Sequence, residues 1–291
     1  MKTILITGIN GFLGSHLAKT LSSEYNIIGL EYSLENLFRI SNCNYKVYSA
    51  KDGIPDELFI EQRIDIIIHT ATFYGKNNED FTQMFNANLY SPFNLLDKAI
   101  LHGCQLFVNT DTVLDCFVST YALTKKHFQE WLYLRKNEIK VINMQLEHFY
   151  GPGASSANFI TTMINKLKSN EPQIDLTLGE QQRDFVYIDD VVNAYQTLLA
   201  KQNLIIDSYT SYQVCTNQLI SIKALMLMLK DFTQSSSNLN FGAVPYRENE
   251  LMHSETNNAA LLKLGWLPKF TIKEGLQKPF KIDLKSKLNA K

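Results

Sequence analysis

The chain has little net charge, since 28 Lys and Arg residues nearly balance 29 Asp and Glu residues among 291. A near-neutral chain provides no general attraction for nucleic acid or for an anionic membrane. The basic stretch 281–291 is expected to be a solvated end of the chain. No apolar run reaches 18 residues, so a membrane span is not expected. We therefore predict neither a nucleic-acid partner nor a membrane partner.

Cysteine and histidine are scarce. The four cysteines, at 43, 104, 116 and 215, form no CxxC pair, and this pattern favours a reducing compartment over a disulfide framework. The six histidines show no metal-ligand spacing such as HExxH. The first residues also lack the apolar core of a signal peptide. The sequence predicts a cytoplasmic protein that holds no metal.

Short apolar strands and amphipathic helices alternate in the first half of the chain. The strand-like runs lie at 2–7, 26–30, 65–69, 106–109 and 140–145, and the clearest helical spacings lie at 84–102 and 121–137. Continuous apolar strands that alternate with helices predict an α/β fold with a parallel sheet covered on both faces.

Three glycines stand where the first strand passes into the first helix. In this T-G-x-x-G-x-x-G segment, Gly8 would permit the tight turn, Gly11 would let the backbone approach a pyrophosphate, and Gly14 would let the helix pack closely on the strand. Glu31 ends the second strand, where an acid accepts hydrogen bonds from ribose hydroxyls. Together these features predict dinucleotide binding.

The same residues bear on the choice of cofactor. Glu31 should repel a 2′-phosphate, which favours NAD(H). Arg39 follows a short way downstream and would suit a 2′-phosphate, so NADP(H) remains an alternative.

The regular alternation ends near Gly151, where stretches such as GPGASS and SSSN appear. We predict a dinucleotide-binding domain at 1–150, to which 185–215 returns in part. Residues 151–291 are expected to form mainly a smaller α/β lobe that binds the substrate. The predicted fold class is therefore a Rossmann-type doubly wound sheet with a C-terminal α/β lobe.

Tyr121 and Lys125 are four residues apart on a predicted helix and therefore share one face. A nearby ammonium lowers the pKa of a phenol from its usual value of roughly 10. We expect this pair to exchange a proton near neutral pH. Thr110 stands at the carboxyl end of a predicted strand, which points its hydroxyl toward the ligand crevice of a parallel sheet.

Three other polar residues favour structural interpretations. His69 ends a buried strand and is expected to be packed and hydrogen-bonded. Asp189 is expected to cap a helix that begins at Val191, with Asp190 beside it, because carboxylates are favoured at helix N-termini.

These motifs and several others occur in an order that resembles one family, the extended short-chain dehydrogenases/reductases of the NAD-dependent epimerase/dehydratase type. The further motifs are DIIIHTAT, NANLYSPFNLLDKA, HFYGPG, RDFVYIDDVVNAY and LGWLPKFTIKEGL, so the likeness spans nearly the whole chain. The resemblance implies a Rossmann domain, a C-terminal lobe for a nucleotide-diphospho-sugar, and a homodimer paired through the helices that begin near Met84 and at Tyr121.

The resemblance also implies roles for individual residues. Tyr121 would be the proton donor or acceptor, Lys125 would hold the nicotinamide ribose, and Thr110 would bind the reacting oxygen. The other cofactor positions that it implies are Gly8, Gly11, Phe12, Leu13, Gly14, Glu31 and Ala71. The other substrate positions that it implies are Thr72, Asp111, His148, Arg183 and Arg247.

Departures from the family's motifs narrow the expected reaction. Sugar 4,6-dehydratases typically carry Thr-Asp-Glu at the end of this strand, whereas residues 110–112 read Thr-Asp-Thr, so dehydration lacks a base. The interval between Thr110 and Tyr121 is also short. The segments NTDTVLDCFVSTYALTKK, QLEHFYGP and RDFVYIDDVVNAY look most like those of the CDP-abequose-synthase-like 4-ketoreductases. Gln145 and His148 stand where many relatives carry Arg and Asn.

We therefore expect NAD(P)H-dependent reduction of the C4 keto group of an NDP-4-keto-6-deoxyhexose, in nucleotide-sugar and polysaccharide biosynthesis. One alternative is an NDP-sugar 4-epimerase, which would use the same residues and retain its NAD. A further alternative is a non-catalytic dinucleotide-sensing protein, which would have no need of Thr110, Tyr121 and Lys125.

Overall fold

A computed structural model describes residues 1–75 and 81–278 of the chain. The chain divides into two compact units. The first unit comprises Met1–Leu146 and Val192–Gln213, and the second comprises Glu147–Val191 and the chain from Val214 onward. The basic stretch 281–291, for which a solvated end is predicted, lies outside the described residues.

The strands of the described residues are β1 (Thr3–Thr7), β2 (Asn26–Glu31), β3 (Lys46–Ser49), β4 (Ile66–His69), β5 (Leu106–Thr112), β6 (Lys140–Leu146), β7 (His148–Tyr150), β8 (Gln173–Leu176), β9 (Gln182–Tyr187), β10 (Tyr209–Val214), β11 (Leu219–Ser221) and β12 (Asn238–Phe241). The α-helices are α1 (Phe12–Leu21), α2 (Glu57–Ile60), α3 (Phe81–Phe85), α4 (Ser91–Leu101), α5 (Thr120–Leu134), α6 (Phe159–Lys168), α7 (Ile188–Ala200), α8 (Ile222–Thr233), α9 (Ala259–Lys263) and α10 (Ile272–Gln277).

The first unit is built on a seven-stranded sheet with the order β10-β6-β5-β4-β1-β2-β3. Strands β1 to β6 pair in parallel, with Ile4 opposite Ile27 on one side and Ile66 on the other. The strand order reverses between β1 and β4, and ligands of such sheets bind at the carboxyl ends of the strands at this reversal. The predicted parallel sheet is confirmed, and the glycine segment lies at its switch point, directly after β1.

The central strands are buried on both faces. The side chains of Ile4, Leu5 and Ile6 in β1 have no exposed surface, and the same holds for Ile66–Ile68 in β4. Helices that cover both faces remove these runs from water, which is why the strands read as continuous apolar stretches. This packing fixes the strand ends that carry the polar residues described below.

The helix predicted at 84–102 is interrupted. Between α3 and α4 the segment Asn86–Tyr90 is π-helical. Pro92 has no N–H to donate to the Asn88 carbonyl, which weakens the ordinary helical pattern here. The Asn88 side chain is buried and bonds the backbone N–H and C=O of Phe73 at 2.7 and 2.8 Å. The π-helical turn, which is wider than an α-helical turn, therefore lies where Asn88 holds the segment that follows β4.

The predicted start of the helix at Val191 is wrong, since α7 begins at Ile188. Asp189 lies in the first turn and is not the cap. Asp190 is fully buried, and its carboxylate accepts the backbone N–H groups of Lys269 and Phe270 at 2.9 and 3.0 Å. The sequence gives no sign of this bond because its partners lie some 80 residues away along the chain.

The second unit contains a three-stranded sheet with the order β11-β9-β7 and a parallel pair of β8 and β12. Its helices include α6, α8, α9 and α10. The buried Trp266 donates its indole N–H to the Asp190 carbonyl at 3.1 Å, which ties the late chain to the start of α7. Across the described part of the chain, we find no helix with the length and apolarity that a membrane span requires.

Candidate active site

The glycine segment forms a tight turn between β1 and α1. Gly8 has φ +65° and donates its N–H to Leu30 at 2.8 Å. A Cβ at Gly8 would lie 2.9 Å from the Ala71 Cα, and one at Gly14 would overlap the Gly8 carbonyl oxygen. These positions therefore have to be glycine, and the backbone cradle that they leave fits the pyrophosphate of a dinucleotide. Phe12 and Leu13 begin the helix directly after this cradle.

Glu31 and Arg39 meet beside this turn. The Glu31 carboxylate accepts the backbone N–H of Asn10 at 2.5 Å, and Arg39 donates its backbone N–H to the Asn10 side chain at 2.9 Å and its guanidinium to the Asn10 carbonyl at 3.3 Å. Burial raises the pKa of Glu31, while the N–H bonds and the Arg39 charge oppose that rise. The sequence does not show this loop path, which brings a cation beside the expected ribose site.

The end of β4 contacts the end of β1 through polar groups. The predicted packed role of His69 is confirmed, because its Nδ1 lies 2.8 Å from the Thr7 hydroxyl and the ring is buried. Burial and the Lys125 charge lower the pKa of His69 to about 3, so the ring is neutral. Ala71 donates its N–H to the same Thr7 hydroxyl at 3.1 Å. This contact holds the strand ends on either side of the switch point.

Tyr121 lies in the first turn of α5, whose N-cap Ser119 accepts the N–H of Ala122 at 3.1 Å. The ring of Tyr121 packs on Tyr74 with centroids 4.8 Å apart, and the Tyr121 hydroxyl bonds the side chains of Tyr74 and Thr72. Thr72 in turn donates to the Asn88 side chain at 3.2 Å. The segment after β4 therefore surrounds the Tyr121 hydroxyl.

The predicted effect of Lys125 on the pKa of Tyr121 is wrong for this structure. Removal from water raises the pKa of Tyr121 well above its usual value, and Tyr74 and the Asp111 charge raise it further. These effects outweigh the Thr72 hydrogen bond, which acts in the opposite direction. Tyr121 is therefore a protonated phenol at neutral pH.

Asp111 and Lys125 are a pair of buried residues of opposite charge that act on each other electrostatically, without an ion-pair contact. Lys125 is 3% exposed and Asp111 is 5% exposed. Burial lowers the pKa of Lys125 and raises that of Asp111, and each charge opposes the shift in the other residue. The pair keeps an ammonium in a place where an isolated charge would be costly.

The Asp111 carboxylate already has hydrogen-bond partners within the fold, and its role in substrate binding stays a prediction. One carboxylate oxygen accepts the Asn143 amide at 2.8 Å, and the other accepts the N–H of Thr112 at 2.8 Å. Asn109 donates to Asn143 at 2.7 Å and extends this buried chain. The sequence did not reveal Asn109 and Asn143, because their roles arise only when β5 and β6 pair.

Thr110 has a partner that the sequence did not reveal. Its hydroxyl oxygen lies 2.8 Å from the hydroxyl of Tyr195, a fully buried residue of α7. Thr110 and its neighbour Asp111 point to different surroundings, as successive residues of a strand do. The carboxyl end of β5 thus carries one half-buried hydroxyl and one buried carboxylate.

The three remaining substrate residues lie in the second unit. Arg183 is 7% exposed and forms an ion pair with Glu250, whose carboxylate lies 2.6 Å from its guanidinium. His148 lies in β7, 3.4 Å from the buried carboxylate of Glu147. Arg247 is exposed and has no side-chain ion pair within 1–75 and 81–278. The structure therefore engages Arg183 within the unit and leaves the Arg247 guanidinium accessible.

Metal ligands are not clustered in this part of the chain. Within residues 1–75 and 81–278, no three His, Cys, Asp or Glu side chains are arranged to hold a metal ion.

Residues 4–215 match the model of the NAD dependent epimerase/dehydratase family. The chain belongs to this family and is an enzyme of its NAD-dependent class, so the resemblance seen in the sequence is confirmed.

Among curated relatives, the chain is 34% identical to CDP-abequose synthase of Salmonella typhimurium strain LT2, with 96% of this chain and 97% of that protein covered. It is 27% identical to dTDP-D-glucose 4,6-dehydratase of Mus musculus, with 95% and 87% covered. A solved structure of UDP-glucuronic acid 4-epimerase from Bacillus cereus, in complex with UDP-glucuronic acid and NAD, has a TM-score of 0.83 at 22% identity and covers 95% of this chain and 96% of that one. This last likeness shows the shared fold.

Proposed function

We propose that the protein reduces the C4 keto group of an NDP-4-keto-6-deoxyhexose. The observation that carries the proposal is the residue set at the carboxyl end of β5 and the start of α5. This chain has Thr110, Tyr121 and Lys125, and Thr112 stands where 4,6-dehydratases typically carry glutamate. The Thr112 hydroxyl is a poor base at neutral pH and cannot take over the task of the glutamate. Reduction needs only a phenol that protonates the developing alkoxide and a threonine hydroxyl that hydrogen-bonds it. The 34% identity to a CDP-abequose synthase supports the same reaction class.

Each residue has a separate task in this proposal. Tyr121 donates its proton to the C4 oxygen as negative charge develops there, and Thr110 donates a hydrogen bond to the same oxygen. Lys125 contributes a buried ammonium that would hold the nicotinamide ribose beside Tyr121. Asp111 keeps that ammonium charged in its buried position.

The protonated state of Tyr121 supports the reductive direction. Reduction needs a proton donor, and a phenol with a raised pKa retains its proton at neutral pH. The cofactor supplies the hydride when it is bound. Its pyrophosphate would be held by Gly8, Gly11 and Gly14, and its nicotinamide ribose by Tyr121 and Lys125.

The preferred cofactor in this proposal is NADH. The Glu31 charge would repel a 2′-phosphate, and repulsion at ~4 Å is worth about 1–4 kcal/mol. The Arg39 charge lies close to Glu31. It would attract a 2′-phosphate and so favour NADPH. Kinetics with both cofactors decide between them: a kcat/KM clearly higher with NADPH would show that Arg39 dominates. Glu31→Ala should improve NADPH use relative to NADH.

We propose that the second unit binds the nucleotide part of the substrate. Arg247 suits a diphosphate because its guanidinium is exposed and offers several donors. Arg183 would contribute only after it leaves Glu250, and His148 would contact the sugar. Arg247→Ala should raise the KM for the nucleotide sugar with little change in kcat, which steady-state kinetics would show.

We also propose that the protein is a homodimer. The helices α4 and α5 carry exposed apolar side chains, including Leu101, Trp131, Tyr133 and Leu134. A second copy of the chain would cover these groups. Sedimentation equilibrium should give twice the monomer mass, and a single monomer mass at micromolar concentration would contradict the proposal.

The reductase and the 4-epimerase are separated by their use of cofactor. Purified protein should consume one NADH for each 4-keto sugar reduced, and NMR of the product should show a new C4 hydroxyl. It should not interconvert two 4-hydroxy NDP-sugars without added cofactor. Such interconversion, together with tightly retained NAD, would establish the epimerase in its place.

A further inference from the structure

The buried tyrosine of α7 has a hydroxyl that packing alone does not require. Tyr195 has no exposed surface, and a phenylalanine would fill the same volume. Its hydroxyl lies 2.8 Å from the Thr110 hydroxyl. A buried polar group of this kind needs a hydrogen-bond partner, and its retention calls for an explanation.

The direction of this hydrogen bond follows from the inventory of donors and acceptors. A phenol carries one proton, and a buried donor without an acceptor is costly. Burial raises the pKa of Tyr195, so the phenol keeps that proton. Among residues 1–75 and 81–278, Thr110 is the hydrogen-bond partner of the Tyr195 hydroxyl. Tyr195 therefore donates, and the Thr110 oxygen accepts.

The consequence falls on the Thr110 proton. A threonine hydroxyl rotates freely and can point its single proton in any staggered direction. Once the Thr110 oxygen accepts the hydrogen bond from Tyr195, the Thr110 proton cannot point toward Tyr195. Within the described residues this proton has no other acceptor, and the Thr110 side chain is half-buried at the carboxyl end of β5. The proton is left to point toward the ligand side of the sheet.

We infer that Tyr195 is a positioning residue that makes Thr110 a hydrogen-bond donor toward the reacting oxygen. Tyr195 does not touch that oxygen and acts through Thr110. A preoriented donor costs no reorganisation when charge develops, which is the property that an oxyanion site needs. The identity of the oxygen, at C4 of a keto sugar, rests on the proposed function, whereas the hydrogen bond between the two side chains does not.

The activity test uses Tyr195→Phe in the full-length protein. We expect kcat to fall roughly tenfold, less than the roughly 100-fold or greater loss that follows outright removal of an oxyanion donor, while KM stays within about twofold. The opposite bond direction predicts that kcat stays the same or rises, since the variant would then free the Thr110 proton. The matched control is Tyr150→Phe, which removes a buried hydroxyl bonded to the Ile272 carbonyl at 3.2 Å. Its kcat should be that of wild type.

A double-mutant cycle separates positioning from general stabilisation. Thr110→Val removes the residue through which Tyr195 acts, so adding Tyr195→Phe should cause no further loss of kcat. A purely structural Tyr195 would multiply the two losses, and that result would overturn the inference. Thr110→Ser keeps the hydroxyl and should retain the sensitivity to Tyr195→Phe.

A stability cycle tests the same pair without any substrate. Thr110→Val strands the buried Tyr195 donor and should lower Tm by roughly 2–8 °C. Adding Tyr195→Phe should recover part of that loss, because removal of both partners leaves no unpaired group. Additive losses of Tm would contradict the hydrogen bond itself.

The two proposals fail in different ways. If the wild type proves to be an epimerase, the proposed function is wrong, but the same cycle on the epimerisation rate still tests Tyr195. If the wild type reduces 4-keto sugars and Tyr195→Phe leaves kcat unchanged or raised, only the inference about Tyr195 is overturned.

Discussion

Tyr121 keeps its phenol proton at neutral pH, and the neighbouring groups shift the pKa of that phenol. Removal from water raises the pKa of Tyr121 most, Tyr74 and Asp111 raise it further, and a hydrogen bond with Thr72 lowers it. A donor held in this way suits the protonation of an alkoxide, which is far more basic than a phenolate.

Removal of the Tyr121 hydroxyl tests its role most simply. Tyr121→Phe keeps the ring on Tyr74 but has no proton to donate, so kcat should fall by roughly 10²–10⁴. Cofactor affinity, measured by titration calorimetry, should fall far less than kcat. Near-normal turnover would remove Tyr121 from the mechanism.

The neighbouring phenol gives a prediction about pH. Because Tyr74 raises the pKa of Tyr121, Tyr74→Phe should lower that pKa. Tyr121 acts in its protonated form, so activity is lost as pH rises through its pKa. The basic limb of the kcat profile should therefore move to lower pH in the variant. An unchanged limb, or one moved to higher pH, would show that Tyr74 does not influence the proton donor.

At this scale the sequence predicts residues whose roles depend on neighbours along the chain. The three glycines and the i, i+4 pair of Tyr121 and Lys125 are of this kind. Asp111, Arg183 and Tyr195 are different, because each takes its role from a partner that only tertiary packing supplies. In the folded protein, Asp111 interacts electrostatically with Lys125, Arg183 forms an ion pair with Glu250, and Tyr195 shares a hydrogen bond with Thr110.

At the scale of elements, the contact between β1 and α1 leaves no room for a side chain. Gly14→Ala should push α1 away from the Gly8 carbonyl and cost about 1–3 kcal/mol of unfolding free energy, as overpacking does. Dinucleotide affinity should also fall, because the displaced helix carries N–H groups of the cradle. The control is Ser22→Ala at the exposed end of α1, which should leave affinity unchanged. Wild-type affinity in Gly14→Ala would contradict the close packing as the basis of the cradle.

The π-helical segment supplies a second prediction at this scale. Asn88 pairs both backbone groups of Phe73, and this holds the segment that carries Thr72 and Tyr74. Asn88→Asp keeps the acceptor for the Phe73 N–H and loses the donor for its carbonyl. We expect a loss of about 1–3 kcal/mol in unfolding free energy together with a lower kcat. Denaturant titration and steady-state kinetics measure the two effects, and wild-type values of both would show that the segment is held by other contacts.

The strands of the first half of the chain were mostly predictable, whereas those after β6 were predicted only as a smaller α/β lobe. Strands β1, β2, β4, β5 and β6 are apolar because both faces are buried. Strand β3 was not predicted, since Lys46–Ser49 is a short edge strand that remains partly exposed. The π-helical break was not predicted either, because it depends on what the Asn88 side chain reaches.

At the scale of the whole molecule, the described chain forms two units with different chemical content. The first unit contains the glycine turn and the residues proposed for proton transfer, and the second contains Arg183 and Arg247. The proposed hydride and proton transfers therefore use residues of the first unit, and we propose that the second unit distinguishes among nucleotide sugars. Members of this family differ in reaction while they share the fold, so the reaction has to be argued from the residues at the strand ends.

The most direct test of the central claim uses NADH that carries deuterium at the transferable C4 position of its nicotinamide. With an NDP-4-keto-6-deoxyhexose, we predict one deuterium on the sugar C4 and one oxidised cofactor for each product formed, both read by NMR. The deuterium should remain on C4 in normal water, because the hydrogen is delivered to carbon and does not exchange. Product without deuterium at C4, or conversion of the sugar without consumption of NADH, would contradict the account.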